Sequence, residues 1–307
     1  MDKRIKMVVS VHVACIGIIS LSAAAVEQAV QPASPEVNTG PIVYRDLPYV
    51  SNGHERQKLD LYLPRAEEKL PLIIRIHGGA WLSGSKEWEK PEDFIRNGYA
   101  VASIGYRLSQ HAKFPAQIED CKAAVRYLRA NAQKYNLDPN RFGVWGGSAG
   151  GHLAAMLGTT GDVNEFDVGE NLGVLSRVQA VVDYFGPTDL IDFHRMPDGT
   201  VRSSPDTPVA KLIGGPVQDN LEKARKANPI IYITKNDPPF LIIHGDKDKT
   251  VPLHQSELLE AALKKAGVPV TFYTVKDGGH SDPNFFRDPN VYKLTREFFE
   301  KNLKNKQ

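Results

Sequence analysis

Apolar and polar positions along the chain switch between two periods. Lys58–Pro64 (KLDLYLP) alternates with a period of two, as a half-buried strand does. Leu70–His77 (LPLIIRIH) and Gly98–Tyr106 (GYAVASIGY) are nearly continuous apolar runs, the pattern of strands covered on both faces. Similar runs recur at Arg141–Trp145, Val178–Phe185, Pro238–Gly245 and Val268–Val275. Between them the spacing lengthens. Pro115–Tyr135 carries Ile118, Cys121, Ala124, Val125 and Leu128 at helical intervals, and Pro115 suits a helix N-terminus. The stretch AGGHLAAMLG reads as a second helix. Leu253–Gly267 reads as a third, with Gly267 as its stop, and NVYKLTREFFEKNL as the last. Strands separated by helices predict an α/β fold: a mostly parallel central sheet with helices on both faces and antiparallel strands added at its edge.

Two regions break the alternation. Residues 187–236 are rich in Pro, Asp and Ser with only short helical pieces, and are expected to form a small insertion or cap over one end of the sheet, in contact with substrate. Residues 1–25 place Lys3, Arg4 and Lys6 before an apolar run that ends in the small residues Ala23 and Ala25. That layout predicts a secretory signal peptide, and hence a secreted or periplasmic protein with no stable membrane insertion after cleavage. The polar, proline-bearing segment 26–40 is expected to be a disordered lead-in to one domain over 41–307.

Charge changes the picture only by exclusion. The leader holds three of the 38 basic and one of the 36 acidic residues, so the remainder balances at 35 of each. Nothing in that balance favours nucleic acid or an anionic membrane. Of the two cysteines only Cys121 lies beyond the leader, so no intrachain disulfide can form there.

The candidate chemistry centres on FGVWGGSAGGH, Phe142–His152. A strand runs into Gly146-Gly147-Ser148-Ala149-Gly150 and a helix begins at once. This is G-x-S-x-G, in which a strained turn lifts a serine above the sheet edge and residues two positions away must lack side chains. The triplet alone arises by chance in roughly one chain in ten of this length, so its context decides. A serine hydroxyl needs a base to take its proton. Among nine histidines, His54 and His111 sit in polar stretches, His77 and His244 end strands, and His152 and His254 lie on helices. His280 instead follows a strand in the flexible loop KDGGHSDP and precedes the last helix, where the order Ser–Asp–His puts the base. The acid comes after the preceding strand, where spacing leaves both Asp246 and Asp248 open. HGGAW after Leu70–His77 offers backbone N–H groups of Gly79 and Ala80, with that of Ala149, as an oxyanion hole. Trp81, Tyr184 and Phe193 are candidate substrate contacts. No metal and no cofactor is implied.

HGGAW, GGSAGG, HGDKDKTVP and GGH together resemble secreted bacterial esterases of the α/β-hydrolase superfamily, and most of all the bifunctional acetylxylan and feruloyl esterases, relatives of the hormone-sensitive-lipase-like carboxylesterases. The resemblance spans roughly 44–303. It implies an α/β-hydrolase fold and puts the acid on Asp248, the second aspartate of H-G-x-x-D-x-x-V-P. Ala80 departs from the third glycine usual in the lipase-like relatives, which leaves backbone donation intact. The implied reaction is hydrolysis of acetyl or feruloyl esters on polysaccharides or small alcohols. A general short-chain carboxylesterase or lipase, a prolyl-oligopeptidase-like peptidase and a catalytically silent binding protein are the alternatives. Oligomeric state is not legible.

Overall fold

The computed structural model describes residues 40–87, 92–194 and 204–304. The predicted leader and nearly all of the lead-in lie outside them. Eight strands form one sheet: β1 (Ile42–Pro48), β2 (Lys58–Leu63), β3 (Leu70–Ile76), β4 (Ala100–Ile104), β5 (Leu137–Gly147), β6 (Ala180–Tyr184), β7 (Phe240–Gly245) and β8 (Val270–Val275). Their spatial order is β1-β2-β4-β3-β5-β6-β7-β8. β2 pairs antiparallel with both β1 and β4, and every pairing from β4 across to β8 is parallel.

The apolar runs become strands because both faces of the sheet are covered. Side chains alternate across a strand, so Leu72, Ile74 and Ile76 of β3 enter one core and Ile73 enters the other. The larger core is closed by the helices α2 (Ala116–Ala130), α3 (Ala149–Thr159) and α6 (His254–Ala266). They contribute Val125 and Leu128, Leu153 and Met156, and Leu259 and Leu263 respectively. The opposite core is closed by α1 (Glu92–Arg96) through Phe94 and by α8 (Pro289–Phe299) through Val291 and Phe299. No helix among the described residues is long and apolar enough to cross a membrane.

Of the segment expected to form the insertion, 187–236, residues 195–203 lie outside the described ones. Its two helices, α4 (Pro208–Ile213) and α5 (Leu221–Lys226), bury Leu212, Ile213 and Ala224 in the larger core. The Phe114 amide donates to the Leu212 carbonyl at 2.9 Å. The described part of the insertion is therefore packed on the α2–α3 side of the sheet, because its apolar residues find the core there.

Candidate active site

Four loops leave the carboxyl ends of parallel strands, where open α/β sheets hold their ligands. They are the 77–84 turn after β3, the turn from β5 into α3, the 245–251 loop after β7 and the 276–282 loop after β8. Ser148 sits at the β5–α3 turn with φ 56° and ψ −122°. That left-handed backbone is strained for a residue with a Cβ. Two bonds hold it: the Ser148 amide donates to the Tyr184 carbonyl at 2.9 Å, and its carbonyl accepts from the His152 amide at 3.0 Å. The flanking glycines are required by contact. A Cβ on Gly146 would strike the Gly150 carbonyl, and one on Gly150 would strike the Ile76 carbonyl.

Loop ends distant in sequence meet at His280. Its Nε2 lies 2.9 Å from Ser148 Oγ and its Nδ1 lies 2.7 Å from Asp248 Oδ2. The Phe185 ring packs 4.7 Å from the imidazole, centroid to centroid. The Asp248 side chain is fully buried, while that of His280 is 18% exposed and opens to the cleft. Burial alone would raise the Asp248 carboxyl; hydrogen bonding from His244 and His280 and the loop amide of Val251 outweigh it and hold the group well below the usual carboxylate range. Asp248 Oδ1 accepts from the Thr250 and Val251 amides at 2.8 and 2.9 Å. An ionised acid with both oxygens engaged fixes Nδ1–H on His280 and leaves Nε2 to accept the serine proton.

Of the two aspartates left open by spacing, Asp248 reaches His280. Asp246 is exposed and accepts instead from the Asp277 amide at 2.8 Å, joining the 245–251 and 276–282 loops. Gly79 and Ala80 line the same cleft as Ser148. Ala149 opens α3, so its N–H has no partner within that helix. The 77–84 turn is held from behind. Gly79 and Ala80 have positive φ, and the Leu82 and Ser83 amides close on the Gly79 carbonyl. His77 Nδ1 lies 2.8 Å from the Gly78 carbonyl, and Arg56 donates to the Gly84 carbonyl at 2.6 Å. Burial pushes the His77 imidazole down to about 4, and the neutral ring stacks on Tyr106.

The cleft holds about 700 Å³. Leu82, Trp145, Tyr184, Phe185, Phe286 and Tyr292 form its apolar wall, with Arg75, Ser83, Thr250 and Ser281 among the polar lining. Tyr184 lies where expected, at the cleft, although its hydroxyl is tied 2.6 Å from Thr295 Oγ1. Trp81 does not line the cleft: it is 3% exposed and meets the His152 ring edge-on. Phe193 also packs against the larger core, and no described residue of 187–236 lines the cleft. Trp81 and Phe193 miss the cleft for one reason: their side chains are taken up by the core. Phe286 and Tyr292, whose rings stack at 6.3 Å, were not anticipated. The available signal was an aromatic-rich stretch directly after the loop histidine.

A mostly parallel sheet with a strained serine at a strand-to-helix turn, followed in chain order by a carboxylate and a histidine on later strand ends, defines an α/β-hydrolase. The chain belongs to the BD-FAE family, whose model matches residues 59–263. That match takes in Ser148 and Asp248 and ends before His280. Among solved structures, the chain is similar to a truncated form of a carbohydrate esterase from gut microbiota. The two are 36% identical with a TM-score of 0.79, over 87% of this chain and 98% of that one. It is also similar to an acetyl ester-xyloside bifunctional hydrolase from Caldicellulosiruptor lactoaceticus, 28% identical with a TM-score of 0.67, over 80% and 87% of the two chains. Esterase LipQ of Mycobacterium tuberculosis is 31% identical over 245 residues, 76% of this chain and 56% of LipQ. The chain spans about half the length of the curated relatives it matches first.

Proposed function

We propose that this chain is a secreted serine esterase that removes acetyl or feruloyl groups from plant polysaccharide or related small alcohols. The observation that carries the reading is the unbroken series Ser148 Oγ, His280, Asp248 at 2.9 and 2.7 Å, opening into an apolar cleft. Family membership and the carbohydrate esterase among its structural neighbours support the substrate class. The charged, apolar, small-residue order of 1–25 supports secretion.

Ser148 Oγ attacks the acyl carbonyl as its proton passes to His280 Nε2. Asp248 stabilises the imidazolium that forms. The N–H groups of Gly79, Ala80 and Ala149 take the charge on the carbonyl oxygen. Collapse breaks the ester bond, and the alcohol leaves with the proton from His280. Water then attacks the acyl-serine, His280 again takes the proton, and the carboxylic acid departs from a restored Ser148.

The test is acetate release from acetylated xylan and ferulate release from feruloylated oligosaccharide, with Ser148→Ala as the blank. We expect the substitution to lower kcat on the order of 10⁶-fold. Hydrolysis confined to small synthetic esters would overturn the polysaccharide assignment. Hydrolysis that survives in Ser148→Ala would overturn the mechanism.

A further inference from the structure

His280 is not the only imidazole at the acid. His244, the penultimate residue of β7, is fully buried, and its Nε2 lies 3.2 Å from Asp248 Oδ2, the oxygen that also faces His280 Nδ1. The same Nε2 lies 2.9 Å from the Val251 carbonyl. Both neighbours are acceptors, so Nε2 carries the hydrogen; it points to the Val251 carbonyl, with Asp248 Oδ2 close beside it. On the far side of the ring, Nδ1 lies 2.7 Å from Ser256 Oγ on α6. With the proton on Nε2, Nδ1 accepts from that hydroxyl. The two imidazoles thus hold opposite tautomers around one carboxylate: Nε2–H on His244 and Nδ1–H on His280.

We propose that His244 is a positioning residue for the reaction, a second imidazole whose N–H lies beside Asp248 Oδ2 and which sets how strongly His280 holds the proton taken from Ser148. Two physical effects follow from the geometry. Val251 gives its N–H to Asp248 Oδ1 and faces His244 with its carbonyl, so the His244 ring closes the 245–251 loop around the acid from both ends. The nearby N–H also draws negative charge from Oδ2. Without it, His280 would face a more concentrated charge and retain its proton to higher pH. Among the described residues, few groups face His244. The residue after β6 presents the Phe185 ring at 6.3 Å, α6 presents the neutral Ser256 hydroxyl, and among the described residues the ionisable neighbours are Asp248 and, through it, His280.

This inference rests on the serine-hydrolase reading but not on the identity of the ester. The test therefore follows the rate at which a fluorophosphonate modifies Ser148 in the full chain, as a function of pH. In His244→Leu we expect that rate to fall about tenfold at neutral pH, as for loss of a hydrogen bond to a charged group. We also expect the acid limb of the profile to move up by about one pH unit. His244→Gln, which keeps an N–H, should return the limb most of the way. A folded His244→Leu whose profile stays in place, even if slower at every pH, would overturn the proposal and leave the ring a packing role. Nitrogen-15 shifts of the histidines in the unmodified chain decide the matter even if the variant fails to fold. Opposite tautomers support the proposal, and Nδ1–H on His244 overturns it. A chain that labels normally yet cleaves no polysaccharide ester would sink the substrate assignment and leave this inference standing.

Discussion

Two aspartates two positions apart have different jobs. Asp248 is buried against His280, whereas Asp246 is exposed and ties two loops through the Asp277 amide. Asp248→Asn keeps the shape but loses the anion that stabilises the imidazolium, so we expect kcat to fall about 10⁴-fold. Asp246→Asn should fall less than about tenfold, since an amide oxygen can accept the same backbone bond. Ester turnover by the two purified variants checks this, and the reverse ranking would sink the assignment of the acid. Sequence spacing could not separate the pair, because both lie in the turn after one strand; the family pattern could. His244 illustrates the opposite limit. As a histidine ending a strand it carried no sign that it faces the acid, since that depends on how the next seven residues fold back.

At the scale of elements, the β5–α3 turn is where local sequence says most. Gly146 and Gly150 were expected to need bare backbones, and each would drive a Cβ into a carbonyl. Gly150→Ala should therefore cost about 3 kcal/mol of stability by overpacking and slow phosphonate labelling of Ser148 as α3 shifts away from Ile76. An unchanged melting temperature and labelling rate would refute the contact argument. Seven of the eight strands are legible, β2 by its alternation and the others as apolar runs; β2, β3, β4, β6 and β7 are covered on both faces, whereas the edge strand β8 is half exposed. β1 is not: Ile42 and Val43 are exposed, so its sequence carries no period, and it forms because β2 offers a free edge. The short helices α1 and α7 (Pro283–Arg287) were missed for want of length. The insertion was found by its composition, but composition could not tell which side of the sheet would absorb Leu212 and Ile213.

Across the whole molecule, buried ionisable groups pull stability in opposite directions with pH. Asp183 of β6 is fully buried and accepts from the Gly186 amide at 2.9 Å, while its Oδ2 has no partner among the described residues. Burial pushes its carboxyl up to about 7. The folded state therefore holds this proton more tightly than the unfolded chain, and its contribution is full at low pH and is lost as pH rises from about 4 toward 7. His77 and His152, both pushed down to about 4 by burial, act the other way: the unfolded chain binds their protons first, so stability grows as pH climbs above that value. Asp183→Asn isolates one term. Its melting temperature relative to the unsubstituted chain should rise steadily between pH 4 and pH 7; a difference that stays flat would show that Asp183 is ionised throughout.

The stacked pair Phe286 and Tyr292 has a consequence for how the proposed esterase would come to accept a new ester. Both rings come from the α7–α8 stretch, which follows His280 in sequence and touches the cleft from outside the proton path. Selection acting on Phe286 and Tyr292 can widen, narrow or repaint the entrance, whereas the adjacent Phe285 packs on Phe185, the ring beside His280, and is tied to the geometry of Ser148, His280 and Asp248. The chain thus carries its appetite and its chemistry on separate handles, and variants chosen for a new ester should accumulate on the first.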